Sequence, residues 1–322
     1  MRERATGLVA GFVADRLVGD PAHGHPVAAF GRFAHDVEQR IWTDDRVTGA
    51  AHTTVLVGGT AAAGAVVARV VRGRPWLETV ATAVVTWAVL GGRSLGQEAR
   101  AVHDHLAADD LPAARRRLTH LVGRDTAALD EGQVSRAVVE SVAENTSDAV
   151  VAPLLAGAVA GIPGMVAYRA ANTLDAMVGH RDDRYQKFGW ASARLDDLFN
   201  LVPARLSALL AAVLAPLVGG ETRRAVEVWR RDAPHHPSPN AGPVEAAFAG
   251  ALDVQLGGVN TYRDRIEDRH TLGDGRPVET ADIGRSVRLA DLVGATALVV
   301  AAVIAVRRPT PPRPRLQPPE GR

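Results

Sequence analysis

The 322-residue sequence contains no cysteine, which excludes disulfides, thiolate nucleophiles and cysteine-ligated zinc but leaves the redox compartment open. Aromatic residues make up only 4% of the chain, and Lys187 is its only lysine. The other basic residues are arginines, a bias typical of GC-rich genomes, so no single arginine is by itself a functional signal. The formal net charge is +1, and no global field therefore favours a nucleic acid as partner.

The common nucleotide-binding and hydrolase motifs are missing as well. The sequence has no G-x-x-x-x-G-K-[ST] phosphate loop, no G-x-G-x-x-G after a strand, no H-E-x-x-H and no G-x-S-x-G. Any use of ATP must therefore proceed without a common fingerprint. Adjacent His235 and His236 cannot both point at one metal from regular structure, and "HGHP", with His23 and His25, is typical of a turn.

Five apolar blocks separate polar stretches of the chain. They span residues 53–71, 79–92, 149–168, 201–218 and 289–306. A membrane-spanning helix needs about 20 mainly apolar residues. The first and fifth blocks satisfy this, the second and fourth are marginal, and Pro153 and Pro163 predict that the third is a broken or re-entrant helix.

No strand-like alternation of useful length appears, so we predict an all-α fold. The blocks favour a polytopic helical membrane protein with about four to five membrane-embedded helices and polar helical loops. The alternative is a soluble all-α protein with buried helices. The first 20 residues lack a signal-peptide pattern and predict an interfacial or short buried helix. Residues 1–308 are expected to form one domain, and the Pro- and Arg-rich tail, 309–322, to be disordered. The sequence does not settle the topology.

A line of acids precedes the third block in "ESVAENTSDAVVAP". Glu140, Glu144 and Asp148 follow each other at i, i+4 and i+8 on one helix face, where like charges repel. Arg136 is a candidate counter-ion for Glu140, and Ser147 or Asp148 a candidate cap of the next helix. These explanations do not account for the whole set, which also includes Asn145 and Thr146. A magnesium site or a carboxylate that holds an amine would use them together.

A second acidic cluster lies between the third and fourth blocks. Asn172 and Asp175 share one helix face, and Asn200 shares a face with Asp197 and also with Asp196. Paired Asp with an Asn one turn on suits oxygen-only coordination of Mg²⁺, completed by substrate phosphates. The alternative is a solvated face with Arg194 and Arg205 as counter-ions.

The loop "HHPSPNAGPVE" leads into a further helix. Pro243 suits the first helical turn, and Glu245 would complement the helix dipole there. The helix N-terminus is a candidate phosphate seat with Ser238 and Asn240 as donors, and an ordinary turn with a cap is equally consistent with the sequence.

Five segments, taken together and in order, resemble the CobD/CbiB family of membrane proteins in cobalamin biosynthesis. They are "DRLVGDPAHGHPVAAFGR", "VVESVAENTSDAVVAPLLAG", "AYRAANTLDAMVGH", "RYQKFGWASARLDDLFNLVPARL" and "HPSPNAGPVEAAFAGAL". The short, alanine-rich first segment and Ala149, where the family pattern leads us to expect Gly, depart from it.

The resemblance implies adenosylcobinamide-phosphate synthase activity, an acid–amine ligation. Aminopropanol, or its O-phosphate, would be joined through an amide to the f carboxylate of adenosylcobyric acid, with ATP as cosubstrate and Mg²⁺ as cofactor. It also implies a multi-pass protein of the cytoplasmic membrane, with corrinoid and aminopropanol substrates, no nucleic acid, and possible contact with other enzymes of the pathway.

On this hypothesis the two acidic clusters hold Mg²⁺ and the amine between them. The expected catalytic residues are Glu140, Glu144, Asp148 and Asp197; the expected metal ligands are Asp196, Asp197 and Asn200; and the expected substrate or phosphate contacts are Asn145, Asn172, Asp175, Arg194, Arg205, Ser238 and Asn240. Which cluster has which role stays open. The alternatives are an Mg²⁺-dependent intramembrane transferase of the prenyltransferase kind, and a corrinoid-binding transporter or scaffold.

Overall fold

The computed structural model describes residues 2–21, 24–180, 182–262 and 265–307, with the backbone alone for 259–268. This part of the chain forms twelve α-helices and one β-hairpin. The helices are α1 (Arg2–Val18), α2 (Pro26–Ile41), α3 (Arg46–Val71), α4 (Pro75–Val89), α5 (Gly92–Ala107), α6 (Leu111–Leu118), α7 (Glu131–Thr146), α8 (Ala152–Val178), α9 (Trp190–Leu214), α10 (Thr222–Asp232), α11 (Ala241–Leu252) and α12 (Thr280–Arg307). The strands are β1 (Leu256–Tyr262) and β2 (Arg265–Leu272).

The all-α class is confirmed, and the antiparallel hairpin of β1 and β2 is a small addition that the sequence did not predict. Its register shifts between Gly257 and Val259, where Gly257 and Gly258 have φ of 74° and 79°. A bulge built on glycines breaks the alternation by which a strand is recognised. The larger of two hydrophobic clusters extends from Ala5 in α1 to Ala305 in α12, and the smaller one lies between α2, α3 and α8. The division into one domain and a tail stays a prediction, because residues 309–322 lie outside the described residues. His23, in the turn predicted from the sequence, also lies outside them.

Four helical segments in the described ranges are long and apolar enough to cross a membrane: Arg46–Val71, Glu131–Val178, Trp190–Val218 and Thr280–Arg307. They contain the first, third, fourth and fifth apolar blocks. The second block lies in α4, whose 15 residues are too few for a full crossing. The polytopic helical architecture predicted from the sequence is therefore confirmed, and the polar stretches between the blocks form mainly helices.

The third block reverses its direction inside the apolar core. The Tyr168 hydroxyl donates to the Asp148 carbonyl oxygen at 3.0 Å, although twenty residues of straight helix would separate them by about 30 Å. The reversal lies at Gly161, whose φ of 67° and ψ of −153° are open essentially to glycine alone. Pro163 follows in the first turn of the returning limb, where its missing N–H costs little. The predicted break of the third block is therefore confirmed, and the two limbs run in opposite directions from Gly161.

Arg4 of α1 stabilises this reversal. Its Nη1 donates to the Ala158 carbonyl oxygen at 3.3 Å, and its guanidinium lies about 3.1 Å from the point where a Cβ on Gly161 would stand. In a membrane a backbone carbonyl released by a helix break must find a donor within the protein. The N-terminal helix therefore has a structural role at the reversal of the third block.

The first helix packs closely along α4. Gly7 and Gly11 face Thr82 and Thr86, and a Cβ at either glycine would lie 2.5 Å or 2.4 Å from the Thr side chain opposite. Small residues spaced four apart allow the close backbone approach typical of helix pairs in membranes. The sequence prediction of an interfacial or short buried helix is thus refined to a helix packed against α4 and against α8.

The outer edge of the α1–α4 pair is apolar. Val9, Val13 and Leu17 are exposed along α1, and Val80 and Val84 along α4. Both rows follow the i, i+4 spacing of one helix face, and both helices pack on α8, while α1 also packs on α12. Because both rows are apolar and exposed, as are residues of the longer helices α3, α9 and α12, we expect this pair to be embedded in the membrane without meeting the length of a full span.

The absence of cysteine makes the chain suitable for single-cysteine labelling. Nitroxides at Val9→Cys, Val13→Cys, Val80→Cys and Val84→Cys in liposomes should collide more with oxygen than with a water-soluble nickel complex, because oxygen concentrates in the bilayer. Electron paramagnetic resonance power saturation measures both rates. Glu227→Cys, on the polar helix α10, serves as the aqueous control. Preferential collision with nickel at the four apolar positions would contradict their placement in lipid.

Candidate functional site

A polar cavity of about 80 Å³ lies where α7, α8 and α9 meet the loop before α11. Its lining consists of Glu144, Ser147, Asp148, Asp175, Asp196, Asp197, Asn200, Ser238, Asn240, Ala241 and Val244. None of these lining residues is basic. All the predicted site residues are in this lining except Glu140, Asn145, Asn172, Arg194 and Arg205. The fold thus brings both acidic clusters and the Ser238–Asn240 loop together, as the sequence hypothesis requires.

Glu144 and Asp148 reach the cavity because α7 continues into α8 without a cap. The chain passes through a π-helical turn, Ser147–Val151, and Val151 at the start of α8 makes no side-chain cap bond. Single π-helical turns are frequent at functional sites. The predicted cap by Ser147 is wrong: its Oγ is buried at the cavity wall with no hydrogen-bond partner among the described residues.

Asp196 is held in place by two amides. Its Oδ1 accepts from Asn172 Nδ2 at 3.2 Å, and its Oδ2 accepts from Asn200 Nδ2 at 3.0 Å. Asn200 Oδ1 in turn lies 2.9 Å from the Tyr168 hydroxyl, the group that also reaches the Asp148 carbonyl oxygen. Asn172 therefore stands behind the wall and orients a carboxylate of the lining.

Three other carboxylates remain open to the cavity. Glu144, Asp148 and Asp175 line it and take part in no side-chain hydrogen bond or ion pair with the described residues. Asp175 is positioned by close contact with Gly179, since a Cβ there would lie 1.9 Å from Asp175 Oδ1. Buried or half-buried carboxylates without donors are costly, so the cavity is suited to a ligand that supplies positive charge or N–H and O–H groups.

Asn240 connects the loop before α11 to α9. Its Oδ1 accepts from Arg205 Nη1 and its Nδ2 donates to the Asp197 carbonyl oxygen, both at 2.8 Å. Ser238 Oγ accepts from the backbone N–H groups of Asn240 and Ala241. The turn-and-cap alternative is therefore present in the loop, and two N–H groups that a phosphate would need are already engaged there.

The remaining predicted residues lie around the cavity. Arg194 is 69% exposed at its side chain, with Nη1 3.8 Å from Asp197 Oδ2. Asn145 donates to the Ser141 carbonyl oxygen one turn back along α7. Their predicted substrate contacts are untested, and both would need a substrate that extends beyond the cavity.

Glu140 faces the base of the hairpin instead of the cavity. Its Oε2 accepts from Arg124 Nη2 at 3.1 Å, and its Oε1 accepts from the Gly257 backbone N–H at 2.9 Å. Arg136 Nε lies 3.6 Å away, so the counter-ion predicted from the sequence is present. A carboxylate so fully paired suits anchoring of the hairpin better than catalysis.

The described residues contain no group of three His, Asp or Glu side chains placed to hold a metal together. Asn200 Oδ1 is also close to the Tyr168 hydroxyl. The oxygen-only donors at Asp196, Asp197 and Asn200 nevertheless fit Mg²⁺, which usually binds one or two carboxylates and completes its shell with water and phosphate.

Sequence reasoning missed three contributors to the site. Ser147 was considered only as a cap, Tyr168 was treated as the end of an apolar block, and Gly179 was not considered. Tyr168 and Gly179 lie four residues from Asn172 and Asp175, one turn along the same helix, and this spacing was the available signal.

Glu245 also departs from its predicted role at the helix dipole. It lies beyond the first turn of α11, is 0% exposed, and neither carboxyl oxygen has a hydrogen-bond partner among the described residues. His236 Nε2 is 3.8 Å from its Oε1. Burial raises the pKa of Glu245 well above the usual range of a carboxyl, and the charges of Glu140 and Glu144 raise it further, against Arg269 and Arg124.

This raised pKa predicts a pH dependence of stability. The folded protein keeps the Glu245 proton where the unfolded chain has lost it, so the associated stability is full below the unfolded pKa and declines as pH rises towards the folded pKa. Glu245→Gln, which stays neutral, should reduce the loss of Tm between mildly acidic and mildly alkaline pH in detergent. Glu221→Gln, at an exposed acid, is the matched control. An unchanged pH profile in Glu245→Gln would show that Glu245 is ionised in the fold.

Comparison with known proteins identifies the family. The family model described as "CobD/Cbib protein" matches residues 8–290. The chain is 52% identical over 305 residues to the cobalamin biosynthesis protein CobD of Mycobacterium tuberculosis, covering 95% of this chain and 97% of that protein. It is 45% identical to the protein of the same name from Geobacter metallireducens, over 93% and 96% of the two chains. No solved structure gives a significant match. The resemblance found in the motifs is thereby confirmed: the chain belongs to the CobD/CbiB family.

Proposed function

We propose that this protein acts in cobalamin biosynthesis as an ATP-dependent acid–amine ligase. It joins aminopropanol, or its O-phosphate, to the f carboxylate of adenosylcobyric acid and gives adenosylcobinamide or its phosphate. It works as a multi-pass protein of the cytoplasmic membrane. The observation that carries the proposal is the convergence of the predicted acidic and amide residues on one cavity in a chain whose relatives are named cobalamin biosynthesis proteins.

The reaction must convert a carboxylate into an acylating agent. A carboxylate oxygen attacks the γ-phosphorus of ATP, ADP leaves, and an acyl phosphate forms. The amine nitrogen then attacks the acyl carbon, and phosphate leaves with the electrons of the carbon–oxygen bond. Starting from carboxylate and ammonium, the balance is one amide, ADP, inorganic phosphate and one proton released. Phosphoryl transfer depends mainly on positioning and charge stabilisation, which an array of fixed polar groups supplies.

The carboxylates of the cavity supply the acid–base chemistry. An amine is protonated near neutral pH and must lose a proton before it attacks. Glu144 and Asp148 line the cavity with unengaged carboxylates, so either would accept that proton at a carboxylate oxygen. Asp196, fixed by Asn172 and Asn200, keeps its orientation during the reaction.

Magnesium and phosphate belong to the α9 side of the cavity. Asp196, Asp197 and Asn200 would hold Mg²⁺, which neutralises the crowded phosphates when bound. Arg205, positioned by Asn240, and the more exposed Arg194 provide charge for phosphate oxygens at the rim. The Ser238–Asn240 loop contributes through its side chains, because its first N–H groups are engaged within the loop.

The activity is tested with membranes that contain the protein, supplied with MgATP, adenosylcobyric acid and aminopropanol phosphate. Mass spectrometry should detect the amide, and its formation should require both ATP and Mg²⁺. Absence of product from folded protein with intact substrates would refute the ligase. Formation of a prenylated product or uptake of corrinoid without amide would favour the transferase or the transporter.

The site assignment predicts that Asp197→Ala lowers amide synthesis by about a hundredfold or more, because a ligand of the Mg²⁺ that would neutralise the transferring phosphate is lost. Asp36→Ala, at an exposed acid on α2, is the matched control and should leave the rate unchanged. Both variants are first checked for normal membrane insertion. A near-native rate for Asp197→Ala would contradict the site assignment and show that Asp197 is a solvated surface charge.

A further inference from the structure

The open carboxylates of the cavity require a positive partner. Glu144, Asp148 and Asp175 come from α7, the π-helical turn and the end of α8, and they face one space of about 80 Å³. None of them accepts a hydrogen bond from a described side chain, although the charges of Arg269 and Arg169 act on Glu144 and Asp148, whereas Asp196 beside them already accepts two hydrogen bonds. Three neighbouring carboxylates in a half-buried cavity repel one another unless a cation or protons reside between them.

Ser147 adds an independent indication of a ligand. It is 2% exposed, it belongs to the same cavity lining, and its Oγ has no partner among the described residues. A buried hydroxyl usually makes at least one hydrogen bond, and an unmade one costs about 1–3 kcal/mol. The π-helical turn places this hydroxyl at the wall beside Asp148.

The arrangement distinguishes between two kinds of cation. Mg²⁺ demands near-ideal octahedral geometry with oxygens at about 2.0–2.1 Å, and Asp196 on α9 is the acid of the cavity whose two oxygens are held in a fixed orientation by amides. A primary ammonium group carries three N–H donors that reach separate acceptors at hydrogen-bond distances of about 2.7–2.9 Å. The three carboxylates, which face one cavity from separate segments, therefore suit an ammonium better than a metal.

Size and donor chemistry restrict the ligand further. The cavity has room for several water molecules, which corresponds to an ammonium head and a few carbon atoms. A quaternary ammonium has no N–H to donate, and a neutral diol brings no charge. The quaternary ion leaves the carboxylate oxygens without hydrogen bonds, and the diol leaves their charge uncompensated.

We propose that the cavity is the seat of a primary alkylammonium, held by Glu144, Asp148 and Asp175, with Ser147 Oγ bonded to a polar atom next to the amine. The inference rests on the proposed function in that this ammonium is the second substrate of the ligation. It assigns the amine to the α7–α8 wall and leaves Mg²⁺ and phosphate to α9, a division that the sequence alone left open.

Binding is measurable without turnover, by isothermal titration of purified protein in nanodiscs without ATP or corrinoid. The probes are 1-amino-2-propanol, n-propylamine, 1,2-propanediol, tetramethylammonium and MgCl₂. The two primary amines should bind saturably, and the diol and tetramethylammonium should not. Magnesium should not displace the amine.

Variants locate the seat. Asp175→Asn should weaken amine binding about tenfold or more, as expected for one charge-assisted hydrogen bond. Gly179→Ala displaces the same carboxylate without changing any charge and should weaken binding similarly, which keeps the test valid if Asp175→Asn fails to fold. Ser147→Ala should weaken 1-amino-2-propanol about fivefold but n-propylamine little. Asp36→Asn is the control.

The outcomes separate this inference from the proposed function. Amide synthesis without saturable amine binding, binding unaffected by Asp175→Asn and Gly179→Ala, or displacement by Mg²⁺ would overturn the ammonium seat and leave the ligase standing. Amine binding with the predicted selectivity, in a protein that forms no amide, would support the seat and refute the ligase.

Discussion

The reversal of α8 at Gly161 is the constraint on which the site depends. The backbone there adopts a conformation open essentially to glycine, Arg4 satisfies the Ala158 carbonyl oxygen, and the returning limb brings Tyr168 back to Asp148. A straight helix would hold Asp148 and Asp175 about 40 Å apart, whereas here both line one cavity. Without the reversal, the acids would lie at opposite ends of the segment.

Hydrogen bonds and ion pairs explain in part why the cavity tolerates so much like charge. Amides orient one carboxylate, Asp196, from both sides, while Glu140, one turn before the cavity, is neutralised by Arg124 and the hairpin backbone. The carboxylates that lack such hydrogen bonds are the ones that face the cavity. Polar groups left unsatisfied in a well-packed interior are characteristic of ligand sites, because the binding partner supplies the missing bonds.

Much of the candidate site could be predicted from the sequence, because acid and amide residues at helical spacing are visible without a structure. The i, i+4 spacing correctly joined Glu144 with Asp148, and Pro153 and Pro163 indicated a broken third block. The same spacing placed Glu140 with them, and only the tertiary contacts to Arg124 and Gly257 separate it. The roles of Ser147 and Gly179 depend on the π-helical turn and on a close contact across the end of α8, neither of which has a sequence period. The hairpin with its glycine bulge and the burial of Glu245 could not be predicted from the sequence for the same reason.

The central claim is that the amide is made in the cavity between α7, α8 and α9. A cryo-electron microscopy structure of the protein in nanodiscs, with Mg²⁺, a non-hydrolysable ATP analogue and 1-amino-2-propanol, tests it most directly. We expect density for the amine between Glu144, Asp148 and Asp175, with the γ-phosphate on the side of Asp196 and Asp197. Nucleotide and amine bound together elsewhere, with the cavity filled only by water, would contradict the account.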